Sequence, residues 1–143
     1  MKIEEWINRL KTHCPSFCGR VEGAASLAAI RSSAVITPCA FVIPAAKNAE
    51  PNTKAGIHSQ KITEMFGIAI FVGNVADSTG EAAQVEQEPI LDEIYEALAG
   101  WQPSYAENPV DYVTGRIVGF DDMVACWLDT FKTDYHKRKQ VSL

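Results

Sequence analysis

The chain has 143 residues, 47% of them hydrophobic and 22% charged, with a net charge of −5. That length suits one domain with its own core, the composition excludes wholesale disorder, and the negative balance speaks against bulk nucleic-acid binding. No apolar run approaches the roughly 20 residues that cross a bilayer; the mixed opening MKIEEWINRLKTHC lacks the continuous apolar centre of a secretory signal, so retention in the compartment of synthesis is expected.

Ile3, Trp6, Ile7 and Leu10 recur at i, i+3, i+4 and i+7 and predict an amphipathic helix that Pro15 closes. Cys18 to Gly23 predicts a brief strand, and Ala24 to Ile30 a short helix with Ser26 near its start. Thr37 to Ala46 reads as a strand in which Pro38 and Pro44 bracket Ala40-Phe41-Val42-Ile43. Residues 47–60, KNAEPNTKAGIHSQ, hold almost no large apolar side chain and predict a long, flexible polar loop. Lys61 to Gly73 alternates, then turns apolar on both faces, the pattern of a central strand. The loop therefore joins two strands as a hairpin with an extended tip.

Ile90, Leu91, Ile94, Leu98 and Trp101 form a second helical stripe, with Asp92, Glu93 and Glu96 outside it and Gly100 placed as a C-cap. Pro89 either opens this helix or kinks a longer one that starts near Gly80. Val110 to Val118 predicts a strand, Phe120-Asp121-Asp122 a tight turn, and Met123 to His136 a second strand. A loose basic tail over 137–143 follows, led by Lys137, Arg138 and Lys139. The expected architecture is α+β: a single domain over residues 1–143, with a mainly antiparallel sheet of two hairpins plus a short strand, and helices packed on it.

Residues 67–81, GIAIFVGNVADSTGE, have the strand, glycine loop and helix order of a phosphate site but not its chemistry. A P-loop needs Lys and Ser/Thr directly after its last glycine; here Glu81 and Ala82 follow Gly80. Gly73 and Gly80 are also too far apart for a dinucleotide fingerprint. The segment has neither Gly-x-Ser-x-Gly nor His-Glu-x-x-His, and the whole chain lacks both. Asp121, Asp122, Asp129 and Asp134 read as solvated turn and rim charges. His58, in a glycine-proline loop, reads as exposed and inert, although a small hydrolase built on His58 or on Asp121 and Asp122 is the enzymatic alternative. His13, Cys14 and Cys18 are one half of a zinc set with no second closely spaced pair, so free thiols near a turn and no cofactor are expected. Trp6, Trp101 and Trp127 each lie on an apolar stripe and are assigned to core packing. The polar content gathers at residues 47–60 and the termini, which suits work done by contact with other proteins.

Four stretches carry a resemblance: Thr37-Pro38-Cys39-Ala40-Phe41-Val42-Ile43-Pro44; VGNVADSTGEAA over 72–83; Leu98-Ala99-Gly100-Trp101-Gln102-Pro103; and Trp127 to Tyr135, WLDTFKTDY. In order and spacing the chain resembles the tail terminator proteins of long-tailed bacteriophages. In that light Asn74, Asp77, Ser78 and Thr79 shape a strand-to-helix turn. The resemblance implies a non-enzymatic virion protein at the head-proximal end of the tail, assembled in the host cytoplasm. It implies a ring, typically of six copies, that stops tail-tube polymerisation and offers its other face to head-completion or connector proteins. Implied partners are further copies of itself, tail-tube protein, connector protein and, in a contractile tail, sheath protein; membrane and sequence-specific nucleic acid are not among them. A different head–tail connector or a baseplate adaptor is the alternative within the binding class. The family's motifs do not fix contact positions. The residues themselves nominate the arm-like loop (Lys47, Asn48, Glu50, Asn52, Lys54, His58) and the tail (Lys137, Arg138, Lys139) for contact between rings.

Overall fold

Helix α1, Lys2–His13, forms where the sequence stripe predicts, with Glu4 and Glu5 in its first turn and Lys11 and His13 in its last, signs that suit the helix dipole. The computed structural model describes residues 2–24, 36–73, 81–121 and 124–142. A 3-10 turn at Pro15–Phe17 ends α1, and β1 (Val21–Gly23), β2 (Cys39–Ala49), β3 (Ile57–Gly73), α2 (Glu81–Leu98), β4 (Asp111–Asp121) and β5 (Val124–Gln140) follow. The five strands form one open sheet in the order β1-β2-β3-β5-β4. β2–β3 and β4–β5 are antiparallel hairpins, and β1 runs parallel to β2. The α+β architecture with two hairpins and a short strand is thus the observed one.

One face of the sheet carries the main core. Ile68, Ile70 and Val72 of β3, Val42 of β2 and Phe131 of β5 are fully buried against Trp6 and Leu10 of α1 and Ile94 and Leu98 of α2. Trp101 and Trp127 pack against that core as partly buried side chains. A smaller cluster of Cys39, Phe41 and Ala69 gathers with Ile43, Phe71, Cys126 and Leu128, at the opposite strand parity. Pro89 lies inside α2, so the longer of the two predicted helices is the real one. Gly100 has φ +81 just past the helix, the left-handed cap that its position predicted.

Two expectations are corrected. Residues 47–60 are not one loop: Lys47–Ala49 continue β2 and Ile57–Gln60 open β3, leaving only 50–56 as the turn. Residues 137–139 are not a loose tail either, because β5 runs on to Gln140 with Lys137, Arg138 and Lys139 paired to Gln60, Ser59 and His58. Both errors have one cause. Apolar alternation ends where the strands leave the core, but ladder hydrogen bonds continue without it. The helix predicted over Ala24–Ile30 lies, after its first residue, outside the described residues, as do Asn74, Asp77, Ser78, Thr79 and Asp122.

Candidate functional site

β1 pairs with β2 only over Ala40 to Val42, and β4 pairs with β5 only as far as Lys132. Beyond those points β2, β3 and β5 continue as a narrow arm. β3 alone has 17 residues, which at strand rise is roughly 55 Å. The register lays the two nominated segments side by side: His58 opposite Lys139, Gln60 opposite Lys137, and Asn48 opposite Thr63, which itself faces Asp134. Segments about 80 positions apart in the sequence therefore build one surface.

The turn of the arm is organised by Asn52. Its Oδ1 accepts from the backbone N–H of Lys54 at 3.1 Å and of Ser59 at 3.0 Å, and its Nδ2 donates to the Lys54 carbonyl at 3.1 Å. Gly56 supplies φ +78 in the same turn. Glu50 donates its N–H to the Lys61 carbonyl at 2.9 Å, extending the ladder one step past β2. His58 meets the Gln60 side chain at 2.9 Å, with no nucleophile or acid in that pairing.

The root of the arm is tied to α1 by a buried carboxylate. Glu64 is 5% exposed, and its Oε1 accepts from Lys2 Nζ at 2.9 Å and from the Tyr135 hydroxyl at 2.6 Å, with Lys47 Nζ 3.4 Å away. Lys2 Nζ also donates to the Tyr135 hydroxyl at 2.7 Å and stands over its ring. Burial pushes the Glu64 carboxyl up, but Tyr135 and the two lysines outweigh it and hold Glu64 below its ordinary range. Burial likewise works to lower Lys2, yet Tyr135 and Glu64 leave it raised. Beside this group a cavity of about 490 Å³ opens between Lys2, Ile3, Pro44, Lys47 and Phe66, where the β2 register shifts between Pro44 and Ala46. By strand alternation Glu64 falls on the face of Ile62 and Phe66, and a lone acid among apolar residues on a strand face is the sequence signal for it.

The opposite side of the sheet ends in β4, whose two register shifts leave Val113 and Val118 as extra residues. Tyr112, Val113, Ile117 and Val118 are exposed, and Tyr95 of α2 stacks edge-on to Tyr112 at 6.0 Å. Beneath this edge Asp129 is 3% exposed, so the reading of it as a solvated rim charge is corrected. Its Oδ1 accepts from Trp127 Nε1 at 2.7 Å and from the Tyr112 hydroxyl at 3.1 Å. Burial pushes Asp129 up, partly offset by those two donors. Asp134, by contrast, is half-buried, accepting from Asn108 at 2.6 Å and standing 3.8 Å from Lys61.

Cys14 is buried and its thiol is pushed up to about 12 by burial and by Glu93, while Cys18 is exposed at φ 50. Among the described residues no group of three or more His, Cys, Asp or Glu could hold a metal ion, and no helix is long and apolar enough to cross a membrane.

The family model described as phage tail terminator protein matches residues 1–141. A solved chain described as "Virion of native gene transfer agent (GTA) particle" is 10% identical, with 92% of each chain covered and a TM-score of 0.53, a likeness of fold. A second solved chain, 15% identical over 99% of this chain and 91% of its own, has a TM-score of 0.38. No curated protein matches.

Proposed function

Since the chain belongs to the phage tail terminator family and is a structural protein of the virion tail, we propose that it forms a ring that caps the tail tube and offers the head or connector its outer face. Tubes grow because each ring presents a copy of the surface that it binds. A cap binds the growing end but exposes a different surface, so addition stops. Heterologous contacts repeated about an axis close such a ring. We place the contact with the adjoining ring on the arm, at Lys47, Asn48, Glu50, Asn52, Lys54, His58, Lys137, Arg138 and Lys139.

The observation that supports this reading is the register, which brings Lys47, Asn48, His58, Lys137, Arg138 and Lys139 onto adjoining strands of one arm, with Glu50, Asn52 and Lys54 in the turn at its end. No catalysis is part of it: the buried carboxylates Glu64 and Asp129 are both bound to structural donors. Light scattering of the purified chain with tail-tube protein is expected to give a multi-subunit ring, and a strict monomer under tube-capping conditions refutes it. Deleting residues 50–56 is expected to leave the fold intact and give overlong or unjoined tails; normal tails refute the placement of the contact.

A further inference from the structure

Charge is distributed unevenly along this fold. The arm, residues 45–65 and 132–140, carries seven basic and three acidic residues, a net of +4 with histidines neutral. The other 113 residues carry six basic and fifteen acidic ones, a net of −9, which together give the −5 of the whole chain. Arm cations divide into two sets. Lys47, Lys61 and Arg138 are paired within the chain, to Glu64, Asp134 and Glu107. Lys54, Lys132, Lys137 and Lys139 are exposed and have no carboxylate partner among the described residues.

The mirror image lies on the body. Glu88, Asp92 and Glu96 follow one another at i+4 along the exposed face of α2 and have no cation partner among the described residues. Beside them stands the apolar patch of β4, joined to α2 through Tyr95 and Tyr112. Of the eight exposed large hydrophobic side chains among the described residues, five belong to α2 or β4, and Ile57 and Val141 lie at the end of the arm. An apolar centre with an acidic rim on one surface thus matches an apolar tip with a basic rim on another. The two surfaces are different, so a copy that uses its arm still offers its own α2–β4 face. The two bulges in β4 disfavour plain strand addition at that edge and leave recognition to side chains.

We propose that the basic arm of one copy docks on the acidic, apolar-centred α2–β4 face of a second copy, head to tail. This rests on the ring reading and narrows its placement of contacts: the 50–56 turn keeps the contact with the adjoining ring, while the charged strands behind it, Lys137 and Lys139 included, are assigned instead to the neighbour within the ring.

The test uses the full chain, measured for mass by light scattering at 0.1 M and 1 M salt, where the Debye length falls from about 10 Å to about 3 Å. Assembly of the unaltered chain is expected to need at least about tenfold more protein at the higher salt. Reversing the arm (Lys137→Glu with Lys139→Glu) or the face (Asp92→Lys with Glu96→Lys) is expected to give monomers with unchanged circular dichroism. Mixing the two variants, or combining all four changes in one chain, is expected to restore the ring mass. A ring that survives each reversal overturns this inference but leaves the ring reading standing. Loss without restoration also overturns it, as does an arm reversal whose one effect is weaker binding to duplex DNA. A chain that stays monomeric even with tail-tube protein refutes the ring reading itself.

Discussion

Gly115 is the position at which the edge of the sheet is most exactingly packed. A Cβ built there would stand 2.3 Å from the Tyr112 hydroxyl, 2.6 Å from Asp129 Oδ1 and 3.0 Å from the Trp127 ring. Gly115→Ala must therefore part the donors that hold Asp129. Losing one hydrogen bond to a buried charged group costs about 1.5–3 kcal/mol, and overpacking of this kind about 1–3 kcal/mol. The two overlap, since one movement relieves the clash and breaks the bond, so we expect a loss of about 2–4 kcal/mol. Gly119, four residues along the same strand, has nothing within 4 Å of its Cβ position. Gly119→Ala is expected to leave stability unchanged or raise it by about 0.5 kcal/mol, because alanine loses less chain entropy in a strand. Urea unfolding of both variants at one protein concentration and pH 7 makes the comparison. Equal midpoints for Gly115→Ala and the unaltered chain would refute the assignment of Asp129 as a packed, hydrogen-bonded carboxylate.

Three further outcomes are expected. Glu64 is held below its ordinary range, so its contribution is present above about pH 4.3 and lost as pH falls through the native value. Glu64→Gln should cost about 2 kcal/mol at pH 7 and much less at pH 3, and a gap independent of pH would refute the pairing with Lys2 and Tyr135. Asp129 has the opposite sign: its contribution is full below about pH 3.9 and declines as pH rises through its raised value. Asp129→Asn keeps an acceptor for Trp127 and Tyr112, and its stability relative to the unaltered chain should climb between pH 4 and pH 7 in a urea series. Among the thiols, exposed Cys18 should react first with a disulfide reagent at pH 8, with Cys14, pushed up to about 12, and Cys39, pushed up to about 11, protected until unfolding. Fast loss of Cys14 from the native chain would show that the end of α1 is not packed as described.

Where burial follows the sequence stripe, residues announced their own places. Trp6, Leu10, Ile94 and Leu98 are buried on the faces that their spacing set, and Ile68, Ile70 and Val72 turn inward together. The family motif over Trp127–Tyr135 likewise lies wholly within β5. The arm was legible in composition but not in form. His58, Ser59 and Gln60 look like loop residues, yet each is held in a ladder by a partner on β5 that no local window contains. Asp129 and Glu64 were hidden for a related reason. An acid on a strand reads as a surface charge unless one already knows which tryptophan, tyrosine or lysine the register brings beside it.

The long middle strand has a mechanical consequence. β3 carries the buried row at Ile68 and Ile70 at one end and His58 at the other, in one unbroken extended segment. β5 runs beside it residue for residue, without a bulge. Such a spar has no hinge along its length. A push on the outer end is delivered as torque to the plane on which α1 and α2 rest, so whatever seats the projection also sets the tilt of the body behind it.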